Sequence, residues 1–457
     1  MILGDLSLTE TAVLDELIEW IKIPSISGVR ESHADLVRGG EWLRDRLVRF
    51  CDDVQMTDDD APLVVARISA TDLPAAGTYL VYGHYDVQPV GSGWTREPFG
   101  AEVDEGWIHG RGSSDDKGQF IALIRAIEML AQVGKLGINV VILADGDEEA
   151  LGQTSSEWLQ SNASDIDGAI LYDSSFLNEN TPVINTSTRG LIDFRLKCVT
   201  GEKNLHSGLA GGVALNALHV LVDVLAQVLP HRGRLPEPFH AGVIAPSESE
   251  VHGWNSLPSG SDLLAAQGGR EADPGAASEY YMRTLALPSL DLHEIAVPDG
   301  GSARTAVITT ATARASIRLA PGQDADELIG VLTNVIEECE ARIPTATLSL
   351  EVMSKTNPSL CDEDEPLIAA GVAAFERVWK QPVKVVRAGG TLPIVAEMTR
   401  QKMPFLLTGL HLPEGNAHGP DEKFKLSHLY DGIRMSCLVL DHLGGRHRIT
   451  LHEEVAP

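Results

Sequence analysis

The sequence predicts an α/β fold: a parallel-rich sheet with helices on both faces, interrupted by an inserted α+β segment. Three observations carry this expectation. Strand-length apolar runs at Thr78–Tyr82, Ile138–Leu143, Ala169–Tyr172 and Pro404–Leu407 stand among segments of helical periodicity, the signature of a layered α/β architecture. Ile138–Leu143 is almost continuously apolar, as in a central parallel strand buried on both faces. Near Asn185 the pattern changes, and the α/β character returns only after Pro358.

Taken in order, residues 8–27 and 33–50 are expected as helices, with strands following at Leu63–Ile68 and Thr78–Tyr82. A helix is predicted over Lys117–Gln132, where Phe120, Ile124, Ile127 and Leu130 recur at helical spacing. Asp115 and Asp116 stand at its start, where negative charge is favoured. In the middle of the chain, Leu191–Cys198 alternates apolar and polar like a strand with one wet face, and Ala214–Val228 is an apolar helix candidate. A strand at Ala311–Leu319, a helix near Asp324–Arg342 and a strand at Ala346–Val352 complete a unit of ferredoxin-like size. The Pro- and Gly-rich stretch 230–300 receives no assignment. A helix at Pro366–Val378 and the strand near Pro404–Leu407 restore the α/β pattern. The expected organisation is one domain split into residues 1–186 and 358–457, around an insert at 187–357.

At 457 residues the chain exceeds one ordinary core. A net charge of −29 argues against a general nucleic-acid role, which needs clustered Lys and Arg. Five cysteines (Cys51, Cys198, Cys339, Cys361, Cys437) are odd in number and lack CxxC spacing, against a disulfide framework or a cysteine zinc site. The N-terminal stretch has no basic region before its apolar residues, and no run approaches the roughly 18 apolar residues of a membrane span. A cytoplasmic protein without membrane or nucleic-acid partners is the expectation.

Metal-binding side chains stand at the ends of the strand-like runs. His84-x-Asp86 follows Thr78–Tyr82, Glu148-Glu149 follows Ile138–Leu143, and Asp173 follows Ala169–Tyr172. Asp115 lies in GRGSSDDKG, and His418 lies beyond Pro404–Leu407. Each has an ordinary alternative. A His near an Asp is commonly a hydrogen-bonded pair. Asp115 suits a helix cap, with Asp116 its competitor, and Glu148-Glu149 suits a solvated acidic loop. Asp173 suits a turn, and His418 a surface loop. In an open parallel sheet, however, ligands collect at the carboxyl ends of the strands, where these five segments would meet. One bridging carboxylate, further carboxylates and a histidine at each end make a two-metal hydrolytic site, with one of the paired glutamates free as a base. In the insert, His206 can donate to a developing oxygen charge or cap a helix. Arg318 can clamp a carboxylate bidentately or form a strand-edge salt bridge.

At these positions the sequence resembles the co-catalytic zinc exopeptidases, a group that includes carnosinase-like dipeptidases, glutamate carboxypeptidase, aminoacylase and succinyl-diaminopimelate desuccinylase. The matching segments are GHYDVQP, WTREPFG, GRGSSDDKGQ, DGDEEALG, LYDSS, HSGLAGG, SIRLAPGQ, GGTLP and GNAHGPDEKF, in order from residue 83 to 424. GHYDVQP with GRGSSDDKG is most similar to the dipeptidase branch. The resemblance implies that His84, Asp115 and Asp173 hold one zinc, and that Asp115, Glu149 and His418 hold the other; Mn or Co also suits these ligands. It further implies that Glu148 is the general base and that Asp86 orients His84. The insert becomes a lid and dimerisation domain of a homodimer, with His206 serving the active site of the partner subunit. Arg318 binds the substrate carboxylate, and Gly389, Gly390 and Thr391 line the pocket.

Three positions depart from the dipeptidase pattern: Ala388 stands where a glutamate suited to an amine is common, Asp362–Glu365 where a histidine is expected, and Asp421 where relatives often have Asn. The leading expectation is a zinc-dependent peptidase acting on dipeptides or short peptides beside a free carboxylate. An N-acyl-amino-acid amidohydrolase is the alternative, favoured by Ala388. A peptide-binding relative without catalysis has no use for a free Glu148.

Overall fold

The computed structural model describes residues 9–150, 152–298 and 305–445. Leu8, where the first helix was expected to begin, and Leu151 of DGDEEALG lie outside the described residues. In chain order, the first elements are α1 (Glu10–Ile21), α2 (His33–Leu47), β1 (Asp53–Met56), β2 (Val64–Ile68), β3 (Thr78–His84), β4 (Glu102–Asp104) and β5 (Trp107–His109). Then come α3 (Lys117–Gln132), β6 (Asn139–Asp145), α4 (Thr154–Asn162), β7 (Gly168–Tyr172) and β8 (Val183–Thr188). The middle holds β9 (Gly190–Val199), α5 (Ala217–Val228), β10 (Ser289–Ala296), β11 (Thr310–Leu319), α6 (Ala325–Arg342) and β12 (Thr347–Thr356). The chain closes with α7 (Pro366–Trp379), α8 (Pro393–Arg400), β13 (Phe405–Thr408), β14 (Lys423–Lys425) and α9 (Leu426–Leu443).

The described residues fall into two compact units, one drawn from Met1–Thr186, Cys361–Val386 and Pro393–Pro457, the other from Ser187–Leu360 and Arg387–Leu392. In the first unit the strands lie in the order β1-β2-β6-β3-β7-β13-β8. The central pairs β6–β3, β3–β7 and β7–β13 are parallel, whereas β1–β2, β2–β6 and β13–β8 are antiparallel. Every residue of Val140–Asp145 and Gly168–Tyr172 is buried, so both faces of the sheet are covered. The sheet is α/β in kind and mixed at its edges.

Helix α3 is buried nearly all round, well beyond its periodic stripe. Even Lys117 is enclosed, its Nζ donating to the carbonyls of Trp20 in the last turn of α1 and Ile23 just past it (3.1 and 2.8 Å). Helix α1 stops at Ile21 rather than reaching residue 27, because the residue before Pro24 is driven out of helical geometry. Among the described residues, no helix is long and apolar enough to cross a membrane.

The second unit is a four-stranded antiparallel sheet in the order β10-β11-β9-β12. With α5 and α6 it reads β-α-β-β-α-β along the chain, the split βαβ arrangement expected of the insert. Ile192, Phe194, Leu196 and Cys198 of β9 alternate inward against Val220, Leu221 and Val224 of α5 and Leu328, Leu332 and Ile336 of α6. Within 230–300, where no element was assigned, lie two short helices (Glu248–Trp254 and Gly260–Ala266) and the edge strand β10.

Candidate metal centre

The three parallel pairs point β3, β6, β7 and β13 the same way, so their carboxyl ends share one edge. His84 is the last residue of β3 and pairs with Asp145, the last of β6. Glu148 and Glu149 lie just beyond β6, and Asp173 follows β7 directly. The loop after β13 carries His418 and runs into β14, which pairs with β5.

The carboxylate of Asp115 lies between two histidines. Its Oδ1 is 3.1 Å from Nε2 of His84, and its Oδ2 is 2.9 Å from Nε2 of His418. His418 Nε2 is also 3.1 Å from Oε2 of Glu149, and His84 Nε2 is 4.0 Å from Oδ1 of Asp173. Two clusters result, His84–Glu148–Asp173 and Asp115–Glu149–His418, each with candidate ligand atoms within 4.8 Å of one another. Glu148 is thus a member of the first cluster, in the place that the sequence reading gave to Asp115. Asp116 stays out of both: it sits at the N-cap of α3, and its Oδ2 accepts the backbone N–H of His84 at 3.3 Å.

Asp86 acts on His84 chiefly through its backbone. His84 Nδ1 donates to the Asp86 carbonyl at 3.1 Å, while the nearer carboxylate oxygen is 3.4 Å away. The other carboxylate oxygen accepts the backbone N–H of Glu149 at 3.0 Å and so ties the ends of β3 and β6. A carbonyl only accepts, so Nδ1 carries the proton and Nε2 must meet the Asp115 oxygen through a second proton or a cation.

Two residues that sequence reasoning left without a role hold the Asp115 turn. Glu422 is buried and accepts the backbone N–H groups of Gly112, Ser114 and Asp115 (3.0, 2.8 and 3.1 Å). Buried Arg111 pairs with the same carboxylate at 2.7 Å and donates to the His418 carbonyl at 3.1 Å. Gly112 has φ +82°, and a Cβ there would lie 2.5 Å from Val87, so only glycine fits this turn. The signals were an arginine between two glycines and a glutamate inside the GNAHGPDEKF segment.

Protein groups alone leave this crevice overloaded with negative charge. Burial raises the Glu148 carboxyl well above its ordinary value, and Asp173 adds to the effect. Burial likewise pushes Asp173 up to about 7. Burial also opposes ionisation of Asp115, yet its bonds to His418 and His84 hold it below the usual carboxylate range. Asp115 first and then Glu149 push His418 up to about 10. Buried oxygens of Asp173 (Oδ2) and Glu149 (Oε1) have no hydrogen-bond partner. Orphaned carboxylate oxygens beside imidazole nitrogens are the environment of a divalent cation, so the donor set fits metal in both clusters.

The remaining residues singled out from the sequence lie in the second unit. His206 is exposed and caps the short helix Ser207–Ala210, its Nδ1 accepting the N–H of Gly208 at 3.0 Å. Arg318, half-buried on β11, donates from Nη1 to Thr391 Oγ1 at 2.7 Å, and Thr391 Oγ1 donates to the Arg189 carbonyl at 2.7 Å. The Gly390 carbonyl accepts the Arg189 N–H at 2.8 Å, so the Gly389–Thr391 turn is fastened at the start of β9 and presents Arg318. Gly389 approaches Thr284 and Leu285.

Comparison with known proteins agrees with this architecture. The profile of peptidase family M20/M25/M40 matches residues 80–442. The Cys-Gly metallodipeptidase of Candida albicans is 26% identical over 449 residues, covering 92% of each chain. The human Beta-Ala-His dipeptidase is 24% identical over 390 residues, covering 82% of this chain and 76% of that one. Among solved structures, an M20 family metallo-carboxypeptidase from Sulfolobus solfataricus superposes with a TM-score of 0.83 at 24% identity, over 94% of this chain and 99% of that one.

Proposed function

The chain belongs to peptidase family M20/M25/M40, a metal-dependent peptidase family, and from that premise we propose that it hydrolyses the amide bond of dipeptides or short peptides bearing a free carboxylate. The relatives named as Cys-Gly and Beta-Ala-His dipeptidases support this substrate class. One observation carries the reading: Asp115 offers one oxygen to His84 and the other to His418, the geometry of a carboxylate shared by two cations.

In this proposal, His84, Asp115 and Asp173 would hold one zinc and Asp115, Glu149 and His418 the other, with Mn or Co as substitutes for the same imidazole and carboxylate donors. Bound cations supply polarisation of the scissile carbonyl and acidification of water. Glu148 lies within the first cluster, and in this reading its carboxylate serves as the base while Asp115 completes the ligand set. Its carboxylate takes a proton from the attacking water and delivers it to the leaving nitrogen as the C–N bond breaks. Asp86 fixes the His84 tautomer and so directs Nε2 to the ligand position. Arg318 takes the substrate carboxylate, with Gly389, Gly390 and Thr391 shaping its surroundings. His206 steadies the developing oxygen charge within a homodimer whose second unit serves as lid and dimerisation domain. The proposed compartment is the cytoplasm.

The test is product analysis on zinc-loaded protein given unblocked dipeptides and N-acyl amino acids side by side, with Glu148→Ala as control. Cleavage of the free dipeptides, abolished in the control, is the expected outcome. Cleavage confined to the acylated compounds would reassign the substrate class to N-acyl amino acids.

A further inference from the structure

The residues of the two clusters are not held alike. The side chains of His84, Asp115, Glu149 and Asp173 are at most 16% exposed, whereas His418 is 57% exposed and stands on a loop rather than at a strand end. That loop has an uncommon backbone: Asn416, His418 and Asp421 all adopt left-handed angles (φ 56°, 62° and 54°), a region sparsely used by non-glycine residues and entered most readily by Asn, Asp and His. Such a segment keeps its shape only where its surroundings impose it.

Part of the imposition comes from Arg111, through the His418 carbonyl, and part from Asn416, which donates to the Pro420 carbonyl. A further part comes from Asp421. Its Oδ1 accepts the backbone N–H groups of Thr95 and Arg96 (2.9 and 3.1 Å), and its Oδ2 accepts the Thr95 hydroxyl at 2.7 Å. The receiving segment is itself anchored. Arg96 pairs with Glu102 and Asp104 on β4, and Trp94 donates to the Val90 carbonyl at 2.7 Å while its ring packs 5.4 Å from the Arg111 guanidinium. Three acceptor contacts from one carboxylate therefore join two segments 326 residues apart, three positions after His418.

We propose that Asp421 is a positioning residue for His418, and that its clamp on Thr95 and Arg96 sets the affinity of the Asp115–Glu149–His418 site for a divalent cation. This rests on the two-cation reading above and adds an asymmetry to it. Opening the clamp lets the backbone at His418 relax and withdraws the imidazole from Asp115 and Glu149. The His84–Glu148–Asp173 cluster is fixed by β3, β6 and β7 and is unaffected.

The experiment is a zinc titration of the full chain against a chromophoric chelator, comparing wild type with D421A, D421N and T95V. Wild type is expected to take two zinc ions. D421A should bind one unchanged and the other about tenfold to a hundredfold more weakly, the range for removing a group that orients a ligand. T95V should weaken the same site by less. D421N, which keeps an acceptor for the backbone N–H groups, should recover most of the lost affinity. Equal weakening of both sites, or two undisturbed sites in D421A, would overturn the clamp while leaving the two-cation reading intact. Fewer than two zinc ions on wild type would overturn both. If D421A is unstable, T95V removes only a hydroxyl and decides the question: an undisturbed second site there refutes the proposal.

Discussion

Glu422 and Arg111 form an ion pair shut away from solvent, Oε2 to Nη1 2.7 Å, with side-chain exposures of 0% and 1%. Removing one member of such a pair strands a charge in a low-dielectric interior, at a cost of about 3–5 kcal/mol. Glu422→Ala should therefore lose about that much stability in equilibrium urea unfolding. Because the same carboxylate accepts the Asp115 N–H, metal affinity should fall with it. Glu422→Gln, which keeps an acceptor, should be milder. A loss under about 1 kcal/mol for the alanine variant would mean that Arg111 finds other compensation.

Glu148 separates binding from chemistry. If it is the base, Glu148→Gln should lower turnover by roughly 10²–10⁴-fold while elemental analysis still finds two metals per chain. Near-native turnover by the fully loaded variant would place the base elsewhere.

The strands that carry the centre were legible because they are buried on both faces, which leaves nearly continuous apolar runs such as Ile138–Leu143. Helix α3 was legible to the residue, from its period and its acidic start. Helix α9, by contrast, escaped notice. Lys425 gives it no side-chain cap, and polar residues interrupt its apolar positions. Buried His428 sits inside it, donating through Nδ1 to the Leu410 carbonyl at 2.9 Å. Strand β10 lies at a sheet edge with few buried residues and so shows no alternation. The ligands were readable because strand ends are where an α/β sheet gathers its chemistry. Glu422 was not, because its partners are backbone N–H groups some 310 residues away in sequence, and its place inside GNAHGPDEKF marks a candidate segment without naming that pairing.

Arg318 is tethered through one nitrogen to Thr391, which leaves part of its planar fork for a ligand. Replacing it with methionine should raise KM for carboxylate-bearing dipeptides and lower kcat/KM by about 10–100-fold, the worth of a charge-assisted hydrogen bond. Substrates with an amidated C-terminus should lose little further. Lysine should rescue poorly, since a point charge does not reproduce bidentate geometry. Equal losses for carboxylate and amide substrates would remove Arg318 from carboxylate recognition.

The pH dependence of metal binding follows from the same crevice. Without metal, Asp173 holds its proton up to about 7 because it is buried, and His418 holds its own up to about 10 because Asp115 and Glu149 face it. Both folded-state values are raised. Their contribution to the stability of the metal-free protein is therefore greatest in acid, below the unfolded values, and is lost as pH climbs through about 7 for Asp173 and about 10 for His418. A cation must displace these protons, so its affinity moves the other way and rises with pH over the same interval. Thermal melts with excess zinc and with chelator should thus converge near pH 5 and separate steadily toward pH 8. Calorimetric titrations in buffers of different ionisation enthalpy should register proton release. Melting curves that separate toward acid instead would show that these two groups are not what the cations displace.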